Sequence, residues 1–139
     1  MEELLIRELC SLLPHGIICK TDDFGDLELL TIHYDGRNSL FRFINTSNGR
    51  DIELYLSEFK PYLLPLDLIK ENIDFPEPLR DPKGMEIYIP SNQEKVYNFA
   101  FHDMDQILYR LRKHRIDFYG FIKAGLAIDA TGLGIYGFN

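Results

Sequence analysis

The sequence predicts an α+β domain: a small curled or barrel-like antiparallel sheet of about four or five strands, flanked by an N-terminal and a C-terminal helix. Three observations predict it. Apolar residues recur at helical spacing over 2–13 and again over 103–115. Between Gly16 and Leu56 the spacing drops to two. Turn-forming clusters divide that middle stretch into short runs.

The 139 residues fit a single domain, 1–139. Such a chain buries roughly two thirds of its unfolded surface, so it needs no staples. Three parts are expected: 1–66 as a helix plus the small sheet, 67–100 as a Pro-rich irregular segment, and 101–139 as a helix with a Gly-rich tail.

In the first helix Leu4, Leu5, Leu9, Leu12 and Leu13 form the apolar stripe. Glu2 and Glu3 favour its start through the helix dipole, and Pro14 and Gly16 end it. Residues 16–21 read as a strand and Asp22–Asp26 as a turn. Leu27 to Tyr34 reads as the second strand, with Leu27, Leu29 and Thr31 on one face. Leu30, Ile32 and Tyr34 take the other, so both faces are expected to be covered. Asp35-Gly36-Arg37-Asn38 is a hairpin signal. Leu40 to Ile44 follows, with Phe41 and Phe43 sharing a face. Asn45–Arg50 forms a second turn. Ile52, Leu54 and Leu56 alternate with Glu53 and Tyr55, and residues 57–60 make a helical turn.

The segment 67–94 carries Pro76, Pro78, Pro82 and Pro90, which exclude long helices and central strands. A helical turn is expected at 67–72. An isolated edge strand is expected at 85–89, and a strand or pre-helical run at 96–101. The helix 103–115 starts at the capping Asp103 and ends in Arg110, Arg112, Lys113, His114 and Arg115. Glycines from Gly120 to Gly137 predict turns rather than one long element.

The chain has a net charge of −7, the wrong sign for non-specific nucleic-acid binding, which needs phosphate neutralisation. An acidic surface instead fits another protein, a basic one in particular. The acidic start, Met1-Glu2-Glu3, lacks the basic flank of a signal peptide, and no apolar run is long enough to span a bilayer. A cytoplasmic address without membrane contact is therefore expected. Cys10 and Cys19 make no CxxC pair, and both lie among apolar residues, so buried free thiols are expected.

No residue set forms a catalytic, metal or cofactor signature. His15, His33, His102 and His114 are not at metal-ligand spacing. Asp22, Asp23, Asp26 and Glu28 depart from the calcium-loop pattern and read as a solvated turn. Gly132-Leu133-Gly134-Ile135-Tyr136-Gly137 matches the spacing of a dinucleotide fingerprint, but no helix can follow it. The dense positive feature is Arg110–Arg115. Cations at a helix C-terminus need no ligand to explain them. With neighbouring aromatics they can also contact phosphate or stack a base. Tyr109, Arg112, Arg115 and Tyr119 are the interaction candidates on that basis.

Two stretches carry a resemblance. One is Glu58-Phe59-Lys60-Pro61-Tyr62-Leu63-Leu64-Pro65-Leu66. The other runs from Ile116-Asp117-Phe118-Tyr119-Gly120-Phe121-Ile122 to Gly125-Leu126-Ala127-Ile128-Asp129-Ala130. With the order of elements, they resemble a group of short uncharacterised bacterial proteins, often carried on prophages or other mobile elements of gut anaerobes. That group commonly has Arg where Tyr119 stands and usually a different middle segment, so nothing transfers to 67–94. The resemblance implies a mobile-element accessory protein and no activity. The expected function is non-catalytic protein–protein interaction. The alternatives are a nucleic-acid-associated regulator using helix 103–115 and a small enzyme.

Overall fold

The computed structural model describes residues 1–34, 38–45, 48–66, 68, 80–88, 95–99 and 104–137. Helix α1 (Glu2–Leu12) leads into a 3-10 turn at Leu13–His15. Strands β1 (Ile17–Thr21), β2 (Gly25–Tyr34), β3 (Ser39–Ile44) and β4 (Asp51–Leu54) follow as an antiparallel meander. A second 3-10 turn, Leu56–Glu58, is held by a reciprocal cap between Tyr55 and Glu58 and delivers β5 (Phe59–Pro65) alongside β1. Strands β6 (Arg80–Tyr88) and β7 (Lys95–Phe99) pair with each other. Helix α2 (Met104–Lys113) precedes the two-residue strands β8 (Ile116–Asp117) and β9 (Ile128–Asp129), which both run parallel to β5.

The α+β class and the two flanking helices are as expected, but the sheet is not. In place of a small antiparallel sheet of four or five strands, curled or barrel-like, there is an open, mixed, seven-stranded sheet in the order β4-β3-β2-β1-β5-β8, with β9 also on β5. Among the described residues β4 pairs only with β3, so the ladder does not close. The physical reason lies after α2. Ile116–Asp117 and Ile128–Asp129 are too short for an alternation pattern to reveal, yet they take the free edge of β5. Leu64 N–H donates to Arg115 O at 2.8 Å and Ala130 N–H to Leu63 O at 2.9 Å. An edge satisfied in this way has no call to pair with β4.

The face of the sheet under α1 is continuous. Leu5, Leu9 and Leu12 pack on Ile17, Cys19, Leu27, Leu29, Phe41, Phe43, Leu54, Phe59 and Leu63. Phe59 sits between Phe41 and Phe43, with ring centroids 4.9 Å from each. That geometry explains why Phe41 and Phe43 are wholly buried. Among the described residues the opposite face is covered only at its β5 end. There Tyr62, Leu64 and Leu66 form a second core with Leu68, Leu111, Ile116, Phe118 and Ala130, against which Ile18 packs.

In β2 the expected two-sided burial fails. A bulge between Leu29 and Thr31 inserts one residue into the strand. The inserted residue shifts the alternation, as bulges do. Ile32 therefore packs on the same core as Leu27 and Leu29, and Leu30 is left 40% exposed. The apolar reading of Leu30 as covered was an unbroken period-two count carried one residue too far.

Where an isolated edge strand is expected at 85–89 and a strand or pre-helical run at 96–101, residues 80–88 and 95–99 instead form one ladder. Both Arg80 and Met85 lie opposite Phe99, so residues 81–84, with Pro82 and Gly84, bulge out of it. A proline is tolerated there because no ladder bond is asked of it. The turn expected at 67–72, apart from Leu68, and the cap at Asp103 lie outside the described residues.

Candidate functional site

The four interaction candidates from the sequence do not form one surface. Arg112 reaches back to α1. Its Nε lies 3.1 Å from each Glu8 carboxylate oxygen, and its Nη2 lies 2.8 Å from Oε1. Glu8 is only 7% exposed. The Glu8 hydrogen bond, with help from Tyr119, raises the Arg112 pKa above its ordinary value. A fork-on-fork pair of this kind fixes one helix against the other.

Arg115 is also turned inward. It follows α2 in a left-handed conformation, φ 54°. Its Nε donates to Gly16 O at 2.9 Å, Nη1 to Lys113 O at 3.0 Å, and Nη2 to His15 O. The guanidinium carbon stacks 4.5 Å from the Tyr136 ring centroid. Burial lowers the Arg115 pKa. The planar fork suits this task, because it can satisfy several carbonyls at once where an ammonium cannot.

Tyr119 is half-buried, with Phe118 at 5.3 Å and Phe121 at 5.7 Å, and touches both cores. Of the four, only Tyr109 is at the surface, 52% exposed, with its ring edge-on to His15 at 5.3 Å. Arg112 and Arg115 thus act as a clamp, tying α2 and its C-terminal end to α1 and to the turn that precedes β1.

The Gly-rich tail is structural as well. The Asp117 carboxylate accepts from Gly120 N–H at 3.0 Å, Phe121 N–H at 2.9 Å and Ile122 N–H at 2.8 Å. Burial raises its pKa, and those N–H groups oppose the rise. The Tyr136 hydroxyl accepts from Ile18 N–H at 3.0 Å and donates to Tyr62 O at 2.8 Å. Burial pushes its pKa up. The Tyr62 hydroxyl donates to Asp26 at 2.8 Å, and burial pushes its pKa to about 12. The near-match to a dinucleotide fingerprint therefore serves to bring Tyr136 onto β1 and β5.

No family model, no curated protein and no solved structure matches the chain. The surface alone carries a functional reading.

Among the described residues, two depressions lie at the β2–β4 end of the sheet. One, of about 210 Å³, lies on the solvent face of β2–β4 and is lined by Thr31, His33, Leu40, Arg42 and Glu53. Register explains the set: Thr31 stands opposite Arg42, Arg42 opposite Glu53, and His33 opposite Leu40. Arg42 Nη2 is 3.4 Å from Glu53. The other, of about 590 Å³, lies where the start of α1 meets the end of β4. It is lined by Glu2, Ile6, Asn38, Ser39, Tyr55, Leu56 and Ser57. Tyr55 is 50% exposed.

Neither set includes a cysteine or a nucleophile paired with a base. Among the described residues no three His, Cys, Asp or Glu side chains gather as a metal site. The acidic turn after β1 is organised instead by Thr21, whose Oγ1 donates to Gly25 O at 2.7 Å and accepts from Phe24 N–H at 2.9 Å. His102 lies outside the described residues. No helix among them is long and apolar enough to cross a membrane.

The thiols differ from expectation. Cys19 is buried and its pKa is pushed up by burial, but Cys10 is exposed. Cys10 follows Leu9, so it is turned roughly 100° from the stripe that faces the sheet. The signal for the first depression was present as polar residues in the outward phase of β2–β4. A strand pattern read only for its core leaves that phase unused.

Proposed function

We propose that the protein is a non-catalytic protein-binding module that presents the uncovered face of β2–β4 and the adjoining corner at α1. The supporting observation is the unequal covering of the sheet. At β5 both faces are buried, whereas on β2–β4 Thr31, His33 and Arg42 line a shallow depression and Leu30 is exposed. Mixed polar and apolar character is typical of non-obligate interfaces. The inward use of Arg112 and Arg115 counts against reading the late basic helix as a nucleic-acid surface.

The test compares partner capture by three purified chains: wild type, Leu40→Asp with Arg42→Glu, and Tyr109→Ala with Lys113→Glu, the last two residues both exposed on α2. The reading expects a cross-linkable partner to be lost with the first double variant and kept with the second. Loss with the α2-side variant alone, or a salt-sensitive shift of nucleic acid, would overturn it.

A further inference from the structure

The open edge of β4 has a hydrogen-bonding phase that can be worked out. Asn45 N–H donates to Arg50 O at 3.0 Å, across the turn that joins β3 to β4. From that bonded pair the register runs Ile44↔Asp51, Phe43↔Ile52, Arg42↔Glu53, Phe41↔Leu54. Bonded and non-bonded pairs alternate along an antiparallel ladder. Ile52 and Leu54 therefore turn their N–H and C=O groups toward β3, as Arg50 turns its C=O, while the Arg50 N–H goes to Asn48 Oδ1 at 2.9 Å. Asp51 and Glu53 turn theirs outward, and both residues are exposed. The next outward N–H, that of Tyr55, is already taken by the Glu58 carboxylate at 3.0 Å. The edge thus offers one short run of donors and acceptors, closed at its C-terminal end by a side-chain cap.

The groove of about 590 Å³ begins where this edge stops, since Tyr55, Leu56 and Ser57 continue directly from β4. Its walls combine the aliphatic Ile6 and Leu56, the exposed Tyr55 ring and the Glu2 carboxylate. An apolar wall ending in a carboxylate suits a long side chain with an aliphatic stem and a cationic head. Tyr55 adds a ring face for that cation. Neither Glu2 nor Asp51 has an ion-pair partner among the described residues, while Glu53 shares Arg42.

A second copy of this chain is a poor occupant. Two β4 edges pairing together would set Asp51 and Glu53 against their own kind, which is destabilising for cross-strand neighbours. The other edge of the sheet is already occupied, because β8 and β9 sit on β5.

We propose that β4 receives an extended, basic segment of a partner protein by strand addition, with one Arg or Lys side chain seated in the groove at Glu2. Main-chain bonds to Asp51 and Glu53 supply the attachment, and alternate side chains supply the selectivity. This inference rests on the module reading above and specifies its mode of contact.

The test uses the full chain and a labelled synthetic peptide of alternating Lys and Val with one Arg, read by fluorescence anisotropy at low salt. A control peptide of the same sequence carries N-methyl groups at alternate residues. Binding should weaken about tenfold or more with the N-methyl control, with Glu53→Lys and with Glu2→Lys. Amide exchange gives the second readout. The Asp51 and Glu53 amides should exchange quickly in the free protein and slow in the complex, while those of Ile52 and Leu54 stay slow in both. Equal affinity for the N-methyl peptide, or no slowing at Asp51 and Glu53, would overturn strand addition. So would the absence of any binding at low salt. A partner lost with the Leu40→Asp, Arg42→Glu chain yet giving no slowing at Asp51 and Glu53 would sink this inference alone and leave the module reading standing.

Discussion

The β5 end and the β2–β4 end of the same sheet are built on different terms. At β5 four consecutive residues, Pro61 to Leu64, are buried, so both sides of the strand face protein. At β3 only Phe41 and Phe43 are fully covered, and Arg42 between them is exposed. A continuous apolar run marks a doubly covered strand, and clean alternation marks a singly covered one. The difference arises from what the chain does later. Leu111, Ile116, Phe118 and Ala130 come from α2 and the tail, and they settle only on the β5 side. Among the described residues, one end is the anchorage of the fold, and the outer face of the other carries the exposed Thr31, His33 and Arg42.

The largest test of that contrast removes the same side chain from the same face at each end. Leu64→Ala should cost about 2–5 kcal/mol, the range for a buried leucine whose site cannot collapse. Leu40→Ala, half-buried on the outer face of β3, should cost under about 1 kcal/mol by the same transfer reasoning. Urea denaturation of the two variants measures both. Equal losses would show that the outer face is covered at both ends.

A somewhat smaller effect is expected at the clamp. Glu8→Ala leaves the Arg112 guanidinium without its carboxylate, and breaking a buried pair costs about 3–5 kcal/mol. The Arg112 side chain is 25% exposed, so water recovers part of that, and the loss should be about 2–3 kcal/mol. Replacing both partners, Glu8→Leu with Arg112→Leu, should return the chain to within about 1 kcal/mol of wild type. A double variant as weak as the single one would mean the pair is not the source of the loss.

What was legible in the sequence follows from period. The stripe Leu5, Leu9, Leu12 and the pair Phe41, Phe43 repeat over enough residues to declare their faces, and both are buried as read. The bulge at Leu30 was not legible, since an inserted residue leaves no mark except a misplaced phase. Strands β8 and β9 have two residues each, below the length at which alternation means anything, so the open, mixed sheet stayed hidden. The contacts that Arg112 and Arg115 make inside the fold were hidden for a different reason. A cation after a helix looks the same in sequence whether it meets solvent, a phosphate or a carboxylate 104 positions away. The groove at Glu2 joins residues from α1, β3 and the β4 corner, and only the tertiary fold brings those together.

The tail's hold on the anchored end is expected to be weaker again. Tyr136→Phe removes the acceptor of Ile18 N–H and the donor to Tyr62 O. A buried N–H left without a partner costs about 1–3 kcal/mol. The Ile18 amide should also exchange faster than in wild type, which separates a lost hydrogen bond from a general loosening. Unchanged exchange at Ile18 would place the loss elsewhere.

The smallest expected effect is a pH dependence confined to the clamp side. Burial, then Arg115, Arg112 and Lys113, hold the His15 pKa below its usual 6.5. Across its ring Tyr109 lies edge-on at 5.3 Å. The folded chain therefore keeps His15 neutral where the unfolded chain would take up a proton. Any stability linked to this group is complete above pH 6.5 and is lost as the pH falls below that value toward the folded pKa. This is the sense required when the unfolded state binds more protons. The ring is half-exposed, so solvent screens the effect and keeps it modest. His15→Gln removes the titration without removing the side chain's polarity. The melting temperatures of wild type and His15→Gln should run parallel above pH 6.5, and wild type should fall relative to the variant below it. Parallel curves throughout would show that the guanidinium cluster does not act on His15. Divergence in the opposite sense would mean that an acid, not the Arg cluster, governs the ring.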